Sequence, residues 1–109
     1  SVAKKSGMKV HIIQNIDKRL PMESIGKAKG LTMDALLTEM ETIVMSGTKL
    51  DINYHLNEVL ETDQQEEIMD YFRSSESDSL EAAREEFGGD FSDEELRFMR
   101  LKFLSEVAN

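Results

Sequence analysis

Residues 22–47, MESIGKAKGLTMDALLTEMETIVMSG, decide the fold. Met22, Ile25 and Ala28 recur three apart, which gives a first short helix one apolar side. Gly26 stands four residues before Gly30; a small side chain there lets a second helix cross close by. Gly30 can take the positive φ that reverses the chain, a conformation most residues resist. Leu31 then plugs the angle between the two helices, and Thr32 is a natural N-cap for the second of them. Leu36, Met40, Ile43 and Val44 form one stripe at i, i+4, i+7 and i+8, and Gly47 is placed to end that helix. The pattern predicts a helix-turn-helix, whose second helix is the one commonly offered to a DNA groove.

Outward from this stretch, Met8 to Arg19 predicts an earlier helix with Ile12, Ile13, Ile16 and Leu20 as its stripe, stopped by Pro21. Residues 1–7 read as a linker. Thr48 to Leu60 fits two patterns. Leu50, Ile52, Tyr54 and Leu56 alternate as in a strand or wing near residues 50–54, whereas Ile52, Leu56, Val59 and Leu60 suit a short helix capped by Asp51. The short helix is favoured.

In the second half, Thr62 with Gln65, Asp78 with Glu81, and Ser92 with Glu95 read as capping boxes opening helices near 63–73, 79–87 and 93–107. RSSESDS, residues 73–79, is a polar loop whose serines could accept phosphate, and Gly88–Gly89 ends a helix. The last helix carries Leu96, Met99, Phe103, Leu104 and Val107 on one side, broadened by Phe98 and Leu101. So wide an arc suits a central packing helix, with docking onto another chain as the alternative. The expected fold is all-α: one helical domain over 8–109, with a three-helix core (8–47) and an acidic helical extension (48–109) forming a C-terminal subbundle.

The 109 residues suffice for one core, and seven methionines against five phenylalanines and no tryptophan make it aliphatic. The absence of cysteine excludes a disulfide framework, a thiolate metal site and a cysteine nucleophile. No apolar run approaches the roughly 20 residues of a membrane span, and no partner membrane is expected. Neither a Gly-rich phosphate loop nor a dinucleotide fingerprint occurs. His11 and His55 lack patterned partners, so both read as surface or half-buried side chains. Asp90, Asp93 and Glu94 could crowd a cation, but not at the spacing of a calcium loop. No catalytic residue, metal site or cofactor is expected.

The net charge of −9 is unevenly spread. Residues 1–50 hold eight basic and five acidic side chains, a balance of +3; residues 51–109 hold five basic and seventeen acidic, a balance of −12. Such asymmetry suggests two faces with different partners, or acidic helices that merely solvate the domain. Thr32, Met33, Asp34, Leu37 and Thr38 are the groove-facing positions of a recognition helix. That helix holds Asp34, Glu39 and Glu41 and no base, so its outer surface repels phosphate. Phosphate contact falls instead to Lys27, Lys29, Lys49 and the N-terminal Lys4, Lys5 and Lys9. The motif therefore serves either weak DNA contact or protein docking.

The order of features in SIGKAKGLTMDALLTEMETIVMSGTKLDI, residues 24–52, resembles the C-terminal helix-turn-helix domain of bacterial RecQ-type ATP-dependent DNA helicases. The likeness rests on Gly26, Gly30, Leu31, Thr32, Leu36, Met40, Gly47 and Leu50–Asp51. It extends over about residues 8–107 through the Ser79–Phe87 helix and the opening Phe91-Ser92-Asp93-Glu94-Glu95-Leu96-Arg97. It departs at Ala35–Leu36 and Glu39, where the family often places a Thr-Ile pair and a His. The resemblance implies a non-catalytic accessory domain that helps position DNA or motor in repair and recombination, in a bacterial cytoplasm at the nucleoid, with the ATP-binding motor elsewhere in the parent. Its expected partners are DNA, bound weakly and without sequence preference, the rest of a helicase, and a basic protein. The alternatives are an autoregulatory or protein-interaction module and, less well supported, a dimeric transcriptional regulator.

Overall fold

The computed structural model describes the backbone of residues 2–107 and the side chains of residues 7–107. Within them lie seven helices and no strand: α1 (Val2–Asp17), α2 (Met22–Lys27), α3 (Met33–Met45), α4 (Asn53–Val59), α5 (Thr62–Ser74), α6 (Leu80–Phe87) and α7 (Asp93–Val107).

The first half is a three-helix core closed by three similar turns. Helix α1 is already helical from Val2, so most of the stretch expected to be a linker continues the helix. It buries Ile12 and Ile16. Leu20, expected in the same stripe, lies beyond the helix end and is exposed. There the Leu20 N–H reaches Asn15 O at 3.0 Å and the Arg19 N–H reaches Ile16 O at 2.8 Å, with Arg19 at φ +60°. The same paired bonds recur after α2, from Leu31 to Gly26 and Gly30 to Lys27, and after α3, from Thr48 to Ile43 and Gly47 to Val44. Each satisfies helix-end carbonyls through one left-handed residue. Gly30 and Gly47 hold that position at φ +68° and +100°. Because α2 ends at Lys27, Ala28 falls in the turn and is exposed rather than on the apolar side.

Helix α3 starts as its sequence indicates: Thr32 Oγ1 accepts the Ala35 N–H at 3.1 Å. Leu36, Met40, Ile43 and Val44 are all buried. Gly26 sets the close approach to α3, since a Cβ there would stand 3.1 Å from Leu31 O and 3.8 Å from Leu36 Cδ2.

No wing forms at residues 50–54. The Leu50 N–H donates to Ser105 Oγ at 3.0 Å, and the Ser105 hydroxyl also approaches Leu50 O at 3.4 Å, so a buried hydroxyl of α7 occupies the groups a strand partner would use. The chain then enters α4, with Asp51 Oδ1 accepting the Asn53 N–H at 3.1 Å.

Two of the three expected capping boxes are absent from their places: a box forms one residue earlier before α5, and a simple cap forms one residue later before α6. In front of α5, the Glu61 N–H donates to Gln64 Oε1 at 2.9 Å. Gln65 turns inward instead, and its amide nitrogen donates to Leu56 O, Leu60 O and Asn57 Oδ1, covering the end of α4. Ser79, not Asp78, caps α6 by accepting the Ala82 N–H at 3.1 Å. Ser92 and Glu95 form the reciprocal pair ahead of α7.

Helix α7 is the packing axis of the domain, in contact with α3, α4, α5 and α6. Leu96, Phe98, Met99 and Leu101 are buried on different sides of it. Phe103 stacks on Phe72 at 5.6 Å between ring centroids, while Val107, at the helix end, is exposed.

Candidate nucleic-acid interface

The outer face of α3 is not free. Arg97, on α7, lies along it with only 15% of its side chain exposed. Its Nη1 donates to Asp34 Oδ1 at 2.6 Å, its Nη2 to Glu41 Oε1 at 3.0 Å and to Thr38 Oγ1 at 3.3 Å, and its Nε to Glu41 Oε2 at 3.4 Å. These bonds, with Glu41 first and Asp34 second, hold the guanidinium above its ordinary pKa against the opposing effect of burial. Arg97 thus neutralises the carboxylates that would meet phosphate.

The residues expected to face a groove have other surroundings. Leu37 is fully buried, which corrects its placement on the outer face: one helical turn on from Met33, it points into the core beside Leu36 and Met40. Met33 is half-buried and packs against the core. Asp34 and Thr38 are bonded to Arg97. Thr32 is exposed but has its hydroxyl engaged in the cap. Arg97 itself was not among the expected site residues. Its signal was indirect: Asp34 and Glu41 have no basic residue three or four positions away to answer them.

The lysines separate into two places. Lys27 and Lys29 are exposed at the end of α2 and in the turn before α3. Lys49 is exposed after α3, whose 13 residues span about 20 Å. Lys4 and Lys5 have side chains outside the described residues. The ion pairs of the described residues engage Arg73, Arg84, Arg97 and Arg100, all from the second half, and no lysine. Lys27, Lys29 and Lys49 therefore have no carboxylate partner among the described residues.

The two histidines are structural. His11 Nε2–H donates to Ile25 O at 3.0 Å, which ties α1 to α2, and His11 Nδ1 lies 3.0 Å from Asn15 Nδ2. His55 packs on Phe98 with ring centroids 4.4 Å apart. Burial lowers its pKa below the ordinary value, and Glu58 and Glu94 oppose that shift. Among the described residues no three His, Asp or Glu side chains converge to hold a metal ion, and Asp93 accepts from Arg84 Nε at 2.7 Å. No helix among them is long and apolar enough to cross a membrane.

Residues 6–56 match the family model described as RecQ-1-like, helix-turn-helix domain. The match covers α1 to α3 and enters α4. Helices α5 to α7, including the one that supplies Arg97, lie outside it. No curated protein matches the chain.

Proposed function

We propose, from the premise that residues 6–56 form a RecQ-1-like helix-turn-helix domain, that this chain is a non-catalytic accessory module of a RecQ-like DNA helicase. In this reading it meets DNA through phosphates and not through bases. The observation that carries the reading is the contrast between α3 and its flanks. The outer side of α3 is acidic and bonded to Arg97, while Lys27, Lys29 and Lys49 are exposed and free of ion pairs among the described residues. Cations without neighbouring base-reading side chains give salt-sensitive, sequence-independent binding.

Fluorescence anisotropy with duplex, forked and single-stranded DNA at low salt tests this. Two to three phosphate contacts give a slope of about −2 to −3 for log K against log salt on duplex DNA. Reversing Lys27 and Lys29 together to Glu abolishes the binding. Absence of binding to all three DNA forms at low salt refutes the phosphate contact.

A further inference from the structure

We propose that the groove between the starts of α2, α3 and α7 and the length of α4 docks a basic segment of a partner protein, seated by one large apolar side chain. The groove has a volume of about 490 Å³. Pro21, Met33 and Val59 carry its exposed apolar surface, over the buried Met22 and Phe98. The flexible thioether of half-buried Met33 fits apolar groups of varied shape. Val59, the last residue of α4, is 42% exposed, although Leu56 of the same helix is fully buried. His55 lies on Phe98 within the groove, and its lowered pKa leaves it uncharged at neutral pH.

The charge around this surface selects the occupant. Glu23, Glu58, Glu94 and Glu95 line the groove, and no Lys or Arg does. None of the four takes part in an ion pair among the described residues, and Glu95 accepts the Ser92 N–H. Elsewhere Asp34, Glu41, Asp78 and Asp93 are each answered by an arginine. Four carboxylates without an ion-pair partner around an apolar surface repel a phosphate backbone and attract lysine or arginine placed beside an apolar anchor. The site shares no residue with the lysines proposed to meet DNA, so either surface can fail its test without the other.

The test titrates the 109-residue chain with a fluorescein-labelled peptide of Lys-Arg pairs separated by single Leu and Phe residues. Control peptides replace Leu and Phe by Ser, or Lys and Arg by Glu. Saturable binding of the first peptide alone is expected. Reversing exposed Glu23, Glu58 and Glu94 to Lys weakens it by about tenfold or more, as does V59D, with helical circular dichroism unchanged. Equal binding of the Ser-substituted peptide, or binding indifferent to both sets of variants, overturns the proposal, as does no binding at low salt. Self-association on sedimentation that V59D abolishes assigns the groove to a second copy and also overturns it.

Discussion

At the scale of single residues, the turns of the first half use the same left-handed position with different side chains. Gly30 takes it freely at φ +68°, whereas Arg19 takes it at φ +60° with a side chain that resists it. No neighbour lies within 4 Å of a Cβ added at Gly30, so G30A meets only backbone strain. Urea unfolding is expected to show G30A less stable by about 1 kcal/mol and R19G more stable by a similar amount. Equal stability of G30A and the parent protein would contradict the turn geometry. His55 gives a second residue-scale effect, with burial lowering its pKa and Glu58 and Glu94 partly offsetting that. The folded protein therefore takes up the proton less readily than the unfolded chain. The stability held above the ordinary value, about 6.5, is lost as pH falls below it toward the lower folded value. Thermal melts between pH 7.5 and 5.5 should show a falling Tm, and H55Q should flatten that fall.

At the scale of elements, the contact between α3 and α7 depends on Arg97. Asp34 is 84% exposed at its side chain, so its ion pair is largely screened by water; Glu41, at 22%, is the stronger partner. R97A leaves Glu41 half-buried without its two bonds and is expected to cost about 1–3 kcal/mol in urea unfolding. D34A, by comparison, should change stability by less than about 1 kcal/mol. Equal losses for the two variants would show that Glu41 does not dominate. The helices were legible in the sequence because their signals are local: the i, i+4, i+7, i+8 stripe of α3, the Thr32 cap and the glycines at 30 and 47 all act within a turn or two. The caps of α5 and α6 were displaced by one residue for an equally physical reason. Several adjacent polar residues can each cap a helix, and burial of Gln65 against the end of α4 removed one competitor.

At the scale of the molecule, the second half does more than contribute acidic surface. Its last helix is the axis on which the other elements pack, and it also screens the helix that the first half would otherwise present. The charge asymmetry seen in the sequence persists in space in an altered form. The arginines of the acidic half are taken up by carboxylates of α3, α5, α7 and the loop before α6. Lys27, Lys29 and Lys49 of the basic half form no ion pair among the described residues, nor do the carboxylates around the groove beside α4. The lysines proposed to meet DNA and the groove proposed to dock a basic segment are thereby kept on separate residues of one small domain.

The sequence by itself determined the all-helical class, the helix-turn-helix over 22–47 and the role of α7 as a packing helix, because apolar periodicity and turn residues report on the nearest few positions. It could not determine which side of α3 stays open. That was decided by Arg97, which meets Asp34 and Glu41 across 63 and 56 residues of chain. Ser105 likewise settled the fate of residues 50–54 from 55 positions away. Contacts at such separations leave no periodic trace, since they depend on how the helices pack and not on the order of residues within any one of them.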